Sequence, residues 1–298
     1  MEFLLKEFQK ERYRKIYGED FFEFLKILPQ SIRVNTIKIS VKDFKRKVEE
    51  KGWKLKGFDW YDEGFYVEAN ENISKTIEHQ IGYFFIQNAS SMVPPLVLDP
   101  KKDEIILDLC AAPGAKTTQL AQIMENTGVI IANDVKVKRI RALKGNLQRM
   151  GVVNTVITIM DGGKFWKTGL KFEKILLDVP CSGSGSLNPR VFQQIGKYTL
   201  NYLKKIQKRL LISASKCLKK DGILVYSTCS LEPEENEEII DFAIKKLGLE
   251  TEEIKIKGLE YIEGLRSWNG NVFSEGVKRA IRIIPKEKEG FFICKLRK

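Results

Sequence analysis

Cys181 in KILLDVPCSGSG and Cys229 in GILVYSTCS are the residues of this chain whose type and place suit covalent chemistry. Each follows a run of buried-type residues, Ile175 to Asp178 and Ile223 to Tyr226, where a strand should stop and a loop begin. Ligands of open α/β sheets lie beyond the carboxyl ends of the strands, so both thiols are expected at one crevice. A free thiol is only a few per cent thiolate at neutral pH, yet it is intrinsically very nucleophilic. Cysteine is otherwise most often a small inert hydrophobe, and Cys217 on a helix face and Cys294 in a strand are read that way. His79 is the chain's one histidine and lies far in sequence from both thiols, so a histidine-based hydrolase is disfavoured.

A third strand end carries DLCAAPGAKTT, from Asp108 to Thr118. The turn at Pro113 and Gly114 lets a nucleoside cofactor approach the backbone, and a helix starting near Lys116 offers free amide hydrogens. It is neither GxGxxG nor GxxxxGK[ST], so the usual dinucleotide and phosphate-loop readings fail. Asp134 ends the next strand about twenty residues on, where a carboxylate can accept both ribose hydroxyls. Asp161 and Asp178 end the third and fourth strands. Cys110 sits in the cofactor turn as lining.

These strand ends require a sheet to position them. IILDLC, GVIIAND, NTVITIMD, EKILLDVP and GILVYSTC read as short, nearly continuous apolar strands, the pattern of parallel strands covered on both faces. Amphipathic helices lie between them: Val137, Ile140, Leu143, Leu147 and Met150 keep a spacing of three or four, as do Leu203, Ile206, Leu210, Ala214 and Cys217. A helix is expected from near Pro233, and the tail AIRIIPKEKEGFFICKLRK reads as an antiparallel hairpin. Pro94, Pro95 and Pro100 place a boundary near residue 95. Ahead of it come a helix over Glu2 to Ile27, a strand in SIRVNTIKI, a helix in VKDFKRKVEEKG and two more strands. The expected architecture is α/β, with a small α+β N-terminal domain over 1–95 and a mostly parallel, Rossmann-like sheet with an antiparallel C-terminal strand over 96–298.

The chain of 298 residues carries a formal charge of +12, which favours a polyanionic partner, nucleic acid first. Arg33, Lys38, Lys42, Lys45, Arg46, Lys47, Lys51, Lys54 and Lys56 could grip phosphates from the N-terminal domain, whereas core packing is the commoner fate of Trp53, Phe58 and Trp60. No secretory leader or membrane-spanning run is visible. Five cysteines without CxxC spacing indicate neither a disulfide scaffold nor a zinc site, so reduced thiols and a cytoplasmic location are expected, with no metal and no membrane partner.

DLCAAPGAKTTQLAQ, IANDV…R…LKGNLQRMGV, ILLDVPCSGSGSLNP and LVYSTCSLEPEENE resemble successive motifs of the Nop/Sun (RsmB-like) family of RNA cytosine-5 methyltransferases. IRVNTIK, GYFFIQNASSM and GFFICKLRK are similar to it as well, so the resemblance runs from about residue 31 to the C-terminus, and within the family it is with short archaeal tRNA-type members. It implies a class I methyltransferase sheet and S-adenosylmethionine bound by Cys110, Ala111, Ala112, Pro113, Gly114, Ala115 and Lys116. It further implies Asp134 at the ribose, Asp161 at the adenine side, Arg139 as a basic residue near the cofactor, and Asp178 between cofactor and target base. Cys229 matches the nucleophile and Cys181 the cysteine that helps release product. The sequence departs from the pattern at Ala115, where the family has glycine, at Asn88, where it has an acid, and in lacking a histidine near its end.

The chemistry fits these residues. Carbon 5 of cytosine is too weak a nucleophile to take a methyl directly from a sulfonium; thiolate addition at carbon 6 makes an enamine-like ring whose carbon 5 attacks. Asp178, if protonated or bridged, can hydrogen-bond nitrogen 3 and drain negative charge. Cys181 or an activated water is the candidate base for the carbon 5 proton, and the target must be unpaired or flipped out. The expected substrate is RNA, tRNA ahead of rRNA, handled by a monomer. A thiol hydrolase does not explain Asp134, a non-catalytic RNA-binding protein on this fold does not explain two strand-end thiols, and DNA methylation would be expected to show the Pro-Cys turn without its YSTC partner.

Overall fold

The computed structural model describes residues 5–24, 28–286 and 288–298. It opens with helix α1 (Glu7–Tyr17), shorter than the helix expected over Glu2 to Ile27. Gly18, at φ 79°, ends it, and a 3-10 turn (Glu19–Phe24) follows. Residues 1–4 and 25–27 of that expected span lie outside the described residues.

Strand β1 (Ser31–Val34), helix α2 (Val41–Glu49), strands β2 (Lys54–Phe58) and β3 (Tyr61–Glu68), helix α3 (Ile77–Gln80) and strand β4 (Phe84–Ile86) build the small domain. Its antiparallel sheet runs β2-β3-β1-β4. Ser40 caps α2 by accepting the Asp43 amide, and the apolar positions Phe44 and Val48 then turn inward. They pack with Ile32, Val34, Trp53, Phe65 and Phe84. Trp53 is therefore core, while Phe58 and Trp60 stack on each other, half-buried, with ring centroids 4.9 Å apart.

Helix α4 (Val93–Leu98) spans the proline cluster and packs on the large sheet. Strand β5 (Ile105–Asp108), helix α5 (Ala115–Ile123), strand β6 (Val129–Asp134), helix α6 (Val137–Met150), strands β7 (Thr155–Ile159) and β8 (Phe172–Asp178), helices α7 (Pro189–Gln194) and α8 (Lys197–Cys217) and strand β9 (Leu218–Thr228) follow. After helix α9 (Glu237–Leu247) come β10 (Glu250–Glu252), β11 (Ile262–Glu263), the two-stranded pair β12 (Ser267–Trp268) and β13 (Asn271–Val272), and then β14 (Ile281–Ile283) and β15 (Phe291–Arg297). Among the described residues the large sheet has nine strands, ordered β11-β14-β15-β9-β8-β5-β6-β7, with β10 also on β15. Strands β5 to β9 are mutually parallel; β15 is antiparallel to β9 and forms the expected hairpin with β14.

The continuous apolar runs are explained by cover on both faces. Ile175, Leu177, Leu224 and Tyr226 join one core, while Leu176 and Val225, the neighbours between them, join the other. Strand β7 departs from that expectation: it is the sheet's edge, and Val156 and Ile159 stay 51% and 53% exposed. The helix expected from Pro233 also starts later, at Glu237. Asn236 has φ −114° and ψ −95°, outside the helical region, and its side chain accepts from Thr228 Oγ1 and donates to the Ser230 carbonyl. Those bonds tie residues 233–236 to the loop after β9 instead of to a helical turn.

The chain leaves β5 toward β6 and β7 and then returns across it to β8 and β9. This reversal opens a crevice at the carboxyl ends of β5 and β8.

Candidate active site

The loops after β8 and β9 bring the two thiols together. Cys181 and Cys229 are both half-buried, and their sulfurs stand 3.0 Å apart. The Cys229 loop is pinned by the Gly185 amide, which donates to the Cys229 carbonyl at 3.0 Å. Gly185 must be glycine here, because a Cβ would lie 1.9 Å from the Gly290 carbonyl oxygen. The hydrogen bond to Cys229, burial, and the charges of Cys229, Glu235 and Asp178 together push the Cys181 thiol well up, which favours its protonated form, and the sulfur–sulfur geometry admits either atom as donor.

Asp178, the last residue of β8, shares this crevice. Lys116 Nζ donates to its Oδ2 at 2.7 Å and Ser227 Oγ to its Oδ1 at 2.7 Å. Lys116 also reaches Ser91 Oγ at 2.9 Å and lies over the Phe291 ring. With side-chain exposures of 11% and 27%, the Lys116–Asp178 pair is mostly out of water but open on one side. Lys116 thus belongs as much to the Asp178 side of the crevice as to the cofactor turn.

The turn itself is set by Gly114 at φ 103°, where a Cβ would come 2.8 Å from Leu143. Asp108, Cys110, Ala111, Ala112, Pro113, Ala115, Lys116 and Asp178 line one cavity around it. Asp108 is buried against Thr117 Oγ1 at 2.7 Å, and burial raises its carboxyl to about 7. Burial and the Asp108 and Asp134 charges push the Cys110 thiol well up, which suits lining rather than attack.

Asp134, at the end of β6, accepts the Ala112 amide at 3.3 Å and the Lys136 amide at 3.1 Å. The Arg139 guanidinium lies 3.2 Å from it and also donates to the Ala112 carbonyl, leaving the Asp134 side chain 2% exposed. Arg139 is itself 43% exposed. Asp161 lies just past β7; it caps the next turn by accepting the Gly163 amide at 3.0 Å and pairs with Arg209 at 3.1 Å.

A nucleoside carrying a sulfonium and an amino-acid end fits this donor set. The start of α5 has no side-chain cap and suits an anionic group, the strand-end carboxylates suit ribose hydroxyls and a positive sulfur, and Gly114 leaves the backbone bare. Among the described residues no group of three His, Cys, Asp or Glu side chains could hold a metal ion, and no helix is long and apolar enough to cross a membrane.

One expectation fails. Arg33 cannot grip phosphate, because it is fully buried. It donates to Gln87 Oε1 at 3.0 Å, Thr118 Oγ1 at 2.8 Å, and Gln122 Oε1, so it ties the small domain to α5. Burial lowers this guanidinium to about 10. Lys38 is exposed but caps the Ile81 and Arg149 carbonyls, and Lys51 pairs with Glu78 at 2.6 Å. Lys42, Lys45, Arg46, Lys47, Lys54 and Lys56 remain on the surface. His79 packs against Phe84, away from both thiols.

The sequence reading missed Ser227, whose register on β9 gives no signal of its own, and the pairing of Lys116 with Asp178. It also missed Tyr198 and Tyr202, neighbours at i and i+4 on α8, exposed by 86% and 58% on one stripe with Lys205 and Arg209.

The family model described as 16S rRNA methyltransferase RsmB/F matches residues 95–297, and that of the N-terminal domain of 16S rRNA methyltransferase RsmF matches residues 4–89. A tRNA (cytosine(49)-C(5))-methyltransferase of Pyrococcus abyssi is 44% identical, over 97% of this chain and 94% of its own. The ribosomal RNA small subunit methyltransferase F of Vibrio parahaemolyticus is 38% identical over 91% of this chain, which spans 57% of that relative. The crystal structure of a methyltransferase homolog from Pyrococcus horikoshii superposes with a TM-score of 0.89 at 40% identity, covering 98% of this chain and 95% of that one. NSun6 from the same organism, solved with SFG, an S-adenosylmethionine analogue, gives 0.84 at 27% identity, covering 97% of each chain.

Proposed function

This chain belongs to the RsmB/F family of RNA cytosine-5 methyltransferases, and we propose that it transfers a methyl group from S-adenosylmethionine to carbon 5 of a cytosine in tRNA. The observation that carries this reading is the pair of thiols 3.0 Å apart at the ends of adjacent parallel strands, beside Asp178 and the glycine turn.

Cys229 adds to carbon 6, which breaks the 5,6 double bond and makes carbon 5 a nucleophile. Negative charge develops toward nitrogen 3 as the ring is attacked, and the proton that Lys116 Nζ shares with Asp178 is relayed to that nitrogen to offset it. When bound, S-adenosylmethionine supplies an electrophilic methyl on a sulfonium and leaves as the neutral thioether. Loss of the carbon 5 proton to an activated water, since Cys181 is held protonated, and rupture of the bond between Cys229 and carbon 6 restore the double bond. Cys181, held protonated at 3.0 Å, donates to the departing Cys229 sulfur and so assists release. Asp134 takes the ribose hydroxyls once Arg139 swings aside, and Asp161 lies on the adenine side. The residues Cys110 to Lys116 bind the rest of the cofactor.

The small domain over 1–95 grips RNA through its surface Lys and Arg side chains. The Tyr198–Tyr202 stripe of α8 offers unpaired bases a stacking surface. tRNA is favoured over rRNA because the tRNA-modifying relative is 44% identical to this chain and the rRNA-modifying one 38%. Bisulfite sequencing of tRNA and rRNA pools after incubation with the protein and S-adenosylmethionine tests it. A protected cytosine in tRNA is expected. Protection in rRNA alone moves the substrate, and protection in neither refutes the activity.

A further inference from the structure

The mechanism above uses both thiols but not the group beneath them. Glu235 is fully buried, and its carboxylate has donors on every side. The Ser182 amide donates to Oε1 at 3.0 Å and to Oε2 at 3.2 Å, Ser230 Oγ donates to Oε2 at 2.5 Å, and Gln207 Nε2 donates to Oε1 at 2.8 Å. Ser182 directly follows Cys181, and Ser230 directly follows Cys229. Gln207 Nε2 also donates to the carbonyl of Pro180, on the other side of Cys181, at 3.0 Å. The two serine hydroxyls touch each other at 3.0 Å, and Tyr226 at the end of β9 donates to the Glu235 carbonyl at 2.6 Å. One carboxylate therefore touches the chain next to each thiol.

We propose that Glu235 is a positioning residue for methyl transfer: it fastens the Cys181 loop to the Cys229 loop and fixes the separation of the two sulfurs. An acidic side chain at this depth persists only if its oxygens are paired, and here every partner is a donor. One of those donors, the Ser182 backbone amide, donates to both oxygens and cannot reverse roles. Glutamine at 235 keeps the shape but sets its own NH2 against that amide in either orientation, so it breaks a bond that the carboxylate makes. Asn236 holds the same segment from the other side, through Thr228 and the Ser230 carbonyl, and that tie does not depend on the clamp. The consequence for release rests on the roles given to Cys229 and Cys181 above; the sulfur separation does not.

Diamide reads the separation directly. Two thiols close enough to react form a disulfide, and their two hydrogens and two electrons pass to the diazene, which becomes a hydrazine. The full-length protein and its Glu235→Gln and Glu235→Ala variants are treated with diamide, and the Cys181–Cys229 disulfide is quantified by peptide mass spectrometry. Thermal melting and S-adenosylmethionine affinity are followed in parallel. The wild type should cross-link fastest and both variants at least about tenfold more slowly, as loss of charged hydrogen bonds implies, with cofactor affinity unchanged. In the presence of RNA the variants should accumulate a covalent protein–RNA species, because Cys181 no longer reaches the leaving sulfur. Ser230→Ala, which removes one donor and keeps the carboxylate, should slow cross-linking by less than either. It keeps the test open if the Glu235 variants do not fold. A folded variant that cross-links at the wild-type rate overturns the proposal, and so does a wild type that does not cross-link at all. Fast wild-type cross-linking, slowed in the variants, with no RNA methylation by any of them supports the clamp and removes only the assigned reaction.

Discussion

The carboxyl edge of the large sheet and the small N-terminal sheet spend their charged residues differently. At the large sheet's edge, Asp134, Asp161 and Asp178 each sit at or just past a strand end, where the chain leaves the apolar cover on both faces. In the small domain the same kind of residue has two fates. Arg33 is fully buried against α5, while Lys45, Arg46 and Lys47, only a dozen positions on, stand in solvent on α2. Charge thus marks function at a parallel strand end and is ambiguous within an antiparallel sheet, where the second face is covered or open according to what packs on it.

The largest expected effect sharpens the first half of that contrast. Cys229→Ala should lower methyl transfer by at least about 10³-fold and form no covalent RNA complex, since the attacking atom is gone. Cys181→Ala keeps the attacking thiol but loses the donor to the leaving sulfur. It should accumulate a protein–RNA species that survives denaturing electrophoresis and disappears with RNase. Adduct in the Cys229 variant and none in the Cys181 variant reverses the two roles.

Much of the candidate site's placement was legible because it follows from strand periodicity: five apolar runs, each ending in a thiol, an acid or a glycine turn. What was not legible lies in registers and depths that no spacing encodes. Glu235 sits in the run PEEN, which reads as the acidic first turn of a helix, yet it points into the protein beneath two loops distant in sequence. Ser227 is one more small residue in YSTCS until β8 places it against Asp178. Arg33 follows the same logic. Alternation along β1 puts Ile32 and Val34 inward and Arg33 outward, but β1 is a central strand whose outward face meets α5 of the other domain. That face is visible only once the two domains are docked.

The second prediction tests this docking. Arg33→Met should destabilise the protein by about 3 kcal/mol, because Gln87, Gln122 and Thr118 lose a buried donor and methionine cannot replace it. Urea titration measures the loss. RNA affinity of the folded fraction should stay within about twofold, as expected for a residue that reaches no phosphate. A stable variant with weakened RNA binding would restore Arg33 to the grip and erase the contrast between it and α2.

The smallest effect falls on α2, where the charges are in solvent and each contributes little alone. Lys45, Arg46 and Lys47 are exposed, and the contacts they make are surface ones: Lys45 lies 5.5 Å from the Phe65 ring centroid, and Arg46 pairs with Asp43 at 3.1 Å. Exposed pairs of this kind hold little stability, so replacing all three by Glu should leave the melting temperature nearly unchanged. RNA binding should respond instead through counterion release. Each phosphate contact on single-stranded RNA contributes about 0.7 to the slope of log affinity against log salt, so three lost contacts should flatten that slope by about 2. S-adenosylmethionine affinity, which depends on the far strand ends, should not move. A slope unchanged by the triple reversal would make α2 a solvated face and assign the grip to the catalytic domain, where Tyr198, Tyr202 and Lys205 already line the outer face of α8.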